Sequence, residues 1–554
     1  MVAANFFISF RGVFVCLTKL INSTCIDKII TARISEKSLI FCGESVTLHR
    51  FNAIFEFMTM QVFEMVAKTF QGLEDVLADE LRGLGAVDVE PGRRMVSFKG
   101  DLAMLYRANM CCRTALRILK PIYKFTASDP DELYSMIKEF NWDSVLSLSK
   151  TFSIDTVANS EEFTHSHYVT YRVKDGIVDY FRDKYGPESR PKVRLQDADV
   201  MINVHISGER VTVSLDSSGE SLHKRGYRVA QTEAPINEVL AAGIILKSGW
   251  KGDTPFVDPM CGSGTFLVEA ALIAAGINPG VYRRRFAFEG WDDFDADLLD
   301  SIYNDDSAER DVMFPILGAD ISPKAIAIAS ENLKSAGVAK YVDLQVKPIS
   351  QWTEAPENGF IVTNPPYGER ISSDDMDGLY AMIGSKLKHV FKGYKAWIIG
   401  YREEYFRKIG LAPSQKLPIL NGALECELRE YVIFDGDYRT FRAQGGSIKK
   451  TEARQEKKAP RRVADEAWRA DARKNGFGGK KASDRGKKGA QASDRRKDFA
   501  QQSKPEVNSE NPFARRRNED ALKMLVGKKP TLPPSGEPVM RSRRGWKRTD
   551  ESAD

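Results

Sequence analysis

Between residues 255 and 401 the chain alternates between two hydrophobic periods. Short apolar runs at Pro255–Asp258, Ile316–Asp320, Val342–Lys347, Phe360–Thr363 and Lys395–Tyr401 read as strands. Helical patterns separate them, beginning with Phe266 to Ala275. This alternation predicts an α/β domain built on a parallel, doubly wound sheet. A hairpin-like pair follows, about Lys416–Leu420 and Leu424–Phe434. Upstream the pattern is mixed. Val62–Phe70 reads as a strand, Gly72–Leu84 as a helix (Leu73, Val76, Leu77, Leu81, Leu84), and Val87–Phe98 as two short strands around Pro91-Gly92. Leu102–Cys112 and Asp131–Phe140 read as helices, an α+β pattern compatible with a ferredoxin-like unit. Strand, helix, strand, strand then follow at Thr151–Val157, Val169–Tyr185, Val200–Ser207 and Arg210–Asp216, and Pro235 is expected to open a helix reaching Ser248.

Two stretches at strand ends carry candidate chemistry. Asp258-Pro-Met-Cys-Gly-Ser-Gly-Thr265 closes the first strand with a glycine turn that opens a helix, which lets backbone N–H groups approach a ligand closely. Asn364-Pro-Pro-Tyr367 follows another strand. Successive prolines hold an amide and peptide carbonyls rigidly beside an aromatic ring, a device suited to a flat ring bearing an exocyclic amine. Asp320 ends the second strand, where a carboxylate can accept ribose hydroxyls or cap the helix after Ser322-Pro323. Its distance from Gly264 far exceeds the ~20 residues of a dinucleotide fingerprint, which argues against NAD. An insert at about Gly276 to Val312 accounts for the excess.

D-P-M-C-G-S-G-T followed by N-P-P-Y resembles class I S-adenosylmethionine-dependent methyltransferases acting on exocyclic nitrogens of nucleobases. Leu222-His-Lys-Arg-Gly-Tyr-Arg228, Glu233-Ala-Pro-Ile236, Phe286-Ala-Phe-Glu-Gly-Trp291 and Asn364-Pro-Pro-Tyr-Gly-Glu-Arg370 narrow this to the THUMP-domain RNA guanine-N2 methyltransferases, in particular the methyltransferase half of the bacterial 23S rRNA enzymes. The resemblance spans roughly residues 62–440. It implies a Rossmann-like class I methyltransferase domain behind an α+β ferredoxin-like and THUMP RNA-binding region. It implies S-adenosylmethionine at Asp258, Pro259, Cys261, Gly262, Gly264, Thr265, Asp320 and Ile321, with catalysis at Asn364, Pro365, Pro366 and Tyr367. A stacking role for the Tyr367 ring alone would leave Tyr367→Phe tolerated. Where relatives place an acidic residue after the third strand, this chain has Lys347-Pro348-Ile349. RNA is the implied partner, ribosomal first and transfer RNA second; a DNA adenine-N6 enzyme and a non-catalytic RNA-binding factor are the competing readings.

Charge adds a second partner signal. His223, Lys224, Arg225 and Arg228 surround Gly226 and Tyr227, so Lys224, Arg225, Tyr227 and Arg228 are candidate RNA contacts, with a plain interdomain linker as the alternative. The chain carries a formal charge of +5, yet the segment from Phe441 holds 31 Lys and Arg against 16 Asp and Glu. That tail repeats Ala-Ser-Asp-Arg at 482–485 and 492–495 and reads as basic, low-complexity disorder. Domains are expected at 61–120 (ferredoxin-like), 121–218 (THUMP), 219–440 (methyltransferase) and 441–554 (tail). Residues 1–60 read as an extension, from an upstream start codon or as an appendage. The seven scattered cysteines make no C-x-x-C pair, His165 and His167 lack further ligands, and no apolar run approaches the ~20 residues of a membrane span. These features point to the cytoplasm and to no metal.

Overall fold

The computed structural model describes residues 62–436 except 164, 368–372, 423 and 435, together with a strand pair at Ser38–Phe41 and Glu44–Thr47. Expectations for the tail after residue 440 lie outside the described residues, and of 1–60 only that pair is described.

The front half is a single eight-stranded sheet. Its strands are β1 (Phe63–Lys68), β2 (Val87–Gly92), β3 (Met95–Gly100), β4 (Arg117–Thr126), β5 (Thr151–Asn159), β6 (Lys192–Val193), β7 (Val200–Ser207) and β8 (Arg210–Asp216), in the order β2-β3-β1-β4-β8-β7-β5-β6. Helices α1 (Glu74–Gly83), α2 (Leu102–Cys111), α3 (Pro130–Glu139) and α4 (Ser166–Tyr185) complete it. Pro91 and Gly92 lie inside β2, and the hairpin turns at Arg93-Arg94, where Arg94 takes a φ of +57°. The ten-residue β4 joins the two parts, pairing with β1 at Arg117–Leu119 and with β8 from Leu119 to Thr126. The expected boundary between residues 120 and 121 therefore falls inside a strand. Pro121 is tolerated there because the β4–β8 register shifts beside it, at a bulge between Val213 and Ser214. Cys111 and Cys112 are ordinary core packing at the end of α2, as expected.

The back half is a seven-stranded sheet. Strands β9 (Phe256–Asp258), β10 (Ile316–Asp320), β11 (Val342–Val346), β12 (Phe360–Thr363), β13 (Lys395–Gly400), β14 (Gln415–Asn421) and β15 (Leu424–Val432) lie in the order β11-β10-β9-β12-β13-β15-β14. All pairings from β11 to β13 are parallel, and β15 runs antiparallel against β13. Helices α5 (Glu238–Lys247), α6 (Thr265–Ala275), α7 (Ala296–Tyr303), α8 (Pro323–Ser335), α9 (Ser373–His389) and α10 (Glu403–Lys408) surround it or lie in its insert. The strand order reverses between β9 and β12, which opens a crevice at their carboxyl ends. Pro235 does not start α5: Asn237 caps it, its side chain accepting from Val239 N and Leu240 N at 3.0 and 3.3 Å.

The insert after α6 reaches back into the front half. Phe286, Phe288 and Trp291 are buried in the front core, and Phe288 stacks on Tyr106 with ring centroids 4.2 Å apart. Full burial of such a ring is worth about 1.5–3 kcal/mol. Arg283, itself buried, donates to the carbonyls of Ser218, Glu220, Ser221 and Lys224. The interdomain segment is thus fastened by side chains of the insert.

Candidate active site

The glycine turn sits where its sequence demands. Gly262 and Gly264 have φ of +53° and +77°, a region costly for other residues. A Cβ at Gly264 would come within 2.9 Å of the Ala329 Cβ on α8, whereas one at Gly262 would meet nothing closer than Thr232 Oγ1 at 3.8 Å. One glycine serves close packing, and the other leaves open space before its backbone. The turn is held from several directions: Cys261 N donates to Ala319 O at 2.9 Å, Gly262 N to Asp320 Oδ2 at 3.0 Å, and Asn332 Nδ2 to Ser263 O at 2.9 Å.

A cavity of about 90 Å³ opens at this turn. Asp258, Met260, Cys261, Gly262, Ser263, Thr265 and Phe266 line one side, Thr232, Ala234, Pro235 and Ile236 another, and Asn364 closes it. Two motifs about a hundred residues apart therefore share one space, because their strands are neighbours at the reversal of the sheet. Thr363 Oγ1 donates to Asp258 Oδ1 at 2.8 Å, tying the two strand ends together. Asp258 is 1% exposed; burial pushes its carboxyl up to about 7, the Asp320 charge adds to this, and the bonds from Thr363 and Met260 N oppose it. Burial holds the Cys261 thiol far above the ordinary range, so it is protonated and unreactive.

Pro259, Gly264, Asp320, Ile321, Pro365, Pro366 and Tyr367 do not line this cavity. Asp320 accepts from two backbone amides, Gly262 N through Oδ2 and Ser322 N through Oδ1 at 2.9 Å; Ser322 rather than Asp320 caps α8. Ile321, 72% exposed, leaves an apolar surface beside it. Past β11 the chain runs Lys347-Pro348 into a short 3-10 turn, with Lys347 Nζ 4.7 Å from the Trp352 ring. Tyr367 is half-buried, and its hydroxyl donates to Asn364 Oδ1 at 2.5 Å while accepting from Asn421 Nδ2 at 3.2 Å. Its ring is not simply held out for stacking, so the expectation that phenylalanine would serve equally well loses its ground. A wider, shallower depression of about 590 Å³ between Tyr401, Arg402, Glu404, Leu424 and Glu425 holds none of the candidate residues.

The basic cluster at 222–228 is corrected by its burial. Arg225 is 2% exposed and Tyr227 1%. The Tyr227 hydroxyl donates to Glu269 Oε1 at 2.9 Å, and Arg225 Nε lies 3.5 Å from the same oxygen. Arg228 pairs with Glu238 at 2.6 Å and donates to Ser263 Oγ and Thr265 Oγ1 at 3.2 and 3.0 Å, bracing the glycine turn from behind. Only Lys224 stays at the surface, paired with Glu220 at 2.7 Å. Two of the four expected RNA contacts, Arg225 and Tyr227, are therefore internal and Arg228 is mostly buried; acidic partners on α6 and α5 pair with the two arginines, as burying such charges requires. Arg228 and Asn332 belong to the support of the turn, a role no local pattern announces.

Among the described residues no group of three His, Cys, Asp or Glu could hold a metal ion, and no helix is long and apolar enough to cross a membrane. The nucleoside cofactor implied by sequence fits what is present: an open backbone at Gly262, a buried carboxyl at Asp258 and an exposed apolar side chain at Ile321.

Comparison with known proteins agrees with this architecture. Residues 225–430 match the family described as RMKL-like, methyltransferase domain; residues 64–119 match the RlmL ferredoxin-like domain and 127–216 the THUMP domain. The ribosomal RNA large subunit methyltransferase K/L of Syntrophotalea carbinolica is 38% identical over 66% of this chain and 52% of its own length. The chain thus spans about half of the relatives bearing that name. A Synechocystis protein, slr0064, provisionally named an RNA methyltransferase, is 37% identical over 69% of this chain and 98% of its own. Among solved structures, SMU.472, provisionally named a methyltransferase and complexed with SAH, aligns with a TM-score of 0.62 and 31% identity over 68% of this chain and all of its own. A Listeria monocytogenes structure titled as a predicted N6-adenine-specific DNA methylase aligns equally well, with a TM-score of 0.62 and 31% identity over 68% of this chain and 98% of its own. With both its domain order and its sheet topology accounted for, the chain belongs to the RMKL-like methyltransferase family, carrying ferredoxin-like and THUMP domains ahead of the methyltransferase domain.

Proposed function

We propose that this protein transfers the methyl group of S-adenosylmethionine to the exocyclic N2 of a guanine in RNA, with 23S ribosomal RNA as the substrate. The observation that carries the proposal is the shared cavity, in which Asp258 and the glycine turn meet Asn364. Along the turn, Asp258 would hold the cofactor's ammonium group, Asp320 its ribose and Ile321 its adenine. Bound there, it supplies an electrophilic methyl on a sulfonium. Transfer would break the S–CH3 bond as the N–CH3 bond forms, leaving a neutral thioether, with the proton lost from the nitrogen passing to solvent. Asn364 Oδ1, which has two lone pairs, accepts one bond from Tyr367 and retains the other for a guanine N2 hydrogen. The Pro365 carbonyl takes the second hydrogen, and placement at near-attack distance does most of the work.

RNA is favoured over DNA by the THUMP domain, and large-subunit ribosomal RNA by the names of the K/L relatives. The name given to the Listeria structure favours a second reading, methylation of adenine N6 in DNA. Mass mapping of modified nucleosides in RNA and DNA from cells with and without the gene separates the two. Loss of N2-methylguanosine from 23S rRNA is expected; loss of N6-methyladenine from DNA instead would overturn the proposal.

Cofactor binding should depend on pH through Asp258. The Asp258 carboxyl is raised by burial, so in the free protein its protonated form contributes stability that is lost as pH rises through about 7. A cationic ammonium prefers the carboxylate. Cofactor affinity should therefore rise between pH 5.5 and 7.5, by up to about tenfold per unit below the pKa, and Asp258→Asn should flatten the slope. Calorimetry of the free protein with S-adenosylhomocysteine tests this; an equally steep slope in Asp258→Asn would exclude Asp258.

RNA affinity should draw on the tail. Deleting residues after 445 removes most of a segment with 31 basic against 16 acidic residues. It should weaken RNA binding and flatten the dependence of log K on log salt, since neutralised phosphates set that slope. Filter-binding titrations from low to high salt would show it, and an unchanged slope would rule the tail out as an RNA contact.

A further inference from the structure

Asn421, the last residue of β14, touches the site through one side chain. Asn421 Nδ2 donates to the Tyr367 hydroxyl at 3.2 Å, and that hydroxyl donates to Asn364 Oδ1 at 2.5 Å. The Tyr367 ring packs among the buried residues of the methyltransferase core, as does Cys426. A phenol has one proton. With Asn421 donating to its oxygen, that proton is directed onto Asn364. Burial keeps the phenol far above its ordinary range, so the proton stays in place throughout the working pH range.

We infer that Asn421 is a positioning residue for methyl transfer: through Tyr367 it fixes the Asn364 amide in the single orientation that presents its free lone pair to the target amine. The inference rests on the function proposed above and assigns to the end of β14 a part in it. An asparagine side chain has two rotatable bonds, and an unanchored Asn364 would share its time between orientations. Its terminal torsion is broad, so a bond from a neighbour is needed to define it. The relay supplies that bond from a ring locked by packing, which is how a second layer sharpens a site. Asn421 touches no reacting atom, so its removal should lower turnover and leave cofactor binding alone.

The test is a double-mutant cycle on Tyr367→Phe and Asn421→Ala in the full-length protein, measuring kcat and KM for methyl transfer to RNA. Each single variant should lose about tenfold in kcat, the scale of one hydrogen bond, with S-adenosylhomocysteine affinity within about twofold of wild type. Because both act through one bond to Asn364, the double variant should be no slower than Tyr367→Phe alone. Asn421→Asp, nearly isosteric but able only to accept, should draw the phenol proton away from Asn364 and cost at least as much as Asn421→Ala. Multiplicative losses in the double variant, or a wild-type kcat in Asn421→Ala, would overturn the inference.

Nucleoside analysis of the wild-type product keeps the two proposals separate. A methyl found elsewhere than guanine N2 refutes the substrate while the cycle still reads the relay. Should wild type transfer no methyl, crystal structures decide the relay: Asn364 in more than one rotamer in Asn421→Ala is expected, and one unchanged rotamer refutes it.

Discussion

Replacing Asn364 by alanine should lower kcat on the order of 10²–10³-fold, the usual effect of removing one preorganised polar group from a reacting centre. The cofactor should still bind, because the glycine turn and Asp258 form their contacts without it: Gly262 is held by Asp320, and Asp258 by Thr363 and Met260. RNA affinity should change little, since this amide matters most as the nitrogen begins to bond. The measurement is single-turnover transfer of labelled methyl to RNA, alongside calorimetry for the cofactor. A wild-type rate in Asn364→Ala would remove the amide from the mechanism. A lost rate accompanied by lost cofactor binding would instead show that the substitution had disturbed the shared cavity.

Glu269→Ala should cost about 3–5 kcal/mol of folding stability, as removal of one partner from a buried charge cluster does. Glu269 is fully buried in the middle of α6, where it accepts from Tyr227 and faces Arg225. Arg113, from the front half, completes the cluster and donates to Ile277 O at 2.7 Å, beyond the end of α6. Burial pushes the Glu269 carboxyl up and the Arg113 guanidinium down, and their opposite charges pull each back. Without the carboxylate, two guanidinium groups would be left facing each other across a cavity. Urea denaturation monitored by fluorescence should show a lowered midpoint with little change in m. A loss below about 1 kcal/mol would mean the cluster contributes little beyond packing. Glu269→Gln should fall between, because it can still accept from Tyr227 while leaving the charges unbalanced.

Much of this site could be read from local order along the chain. The strand ends at Asp258, Asp320 and Thr363 lie where hydrophobic periodicity predicted them, since burying a strand on both faces requires an unbroken apolar run. The glycine turn announced itself through residues that tolerate positive φ, and Asn364-Pro-Pro-Tyr through residues that stiffen a strand end. β4 was missed for a related reason. It carries Arg117, Lys120, Lys124 and Pro121, a composition that argues against an interior strand, and a bulge beside Pro121 makes it possible.

Periodicity tells which face of an element is apolar; it does not tell which distant side chain will satisfy a polar group once that face is buried. Arg225, Tyr227 and Arg228 had the composition of an RNA-facing cluster, and chain order could not reveal that Glu269 and Glu238 would be waiting for them. The same holds for Tyr367, whose partners Asn364 and Asn421 lie 3 and 54 residues away and come together only when the end of β14 reaches the Tyr367 ring. Local sequence determined most of the elements, the cofactor turn and the candidate amide. Tertiary structure alone decided which charges are internal and which side chains orient the amide, because desolvation and hydrogen-bond pairing depend on neighbours in space.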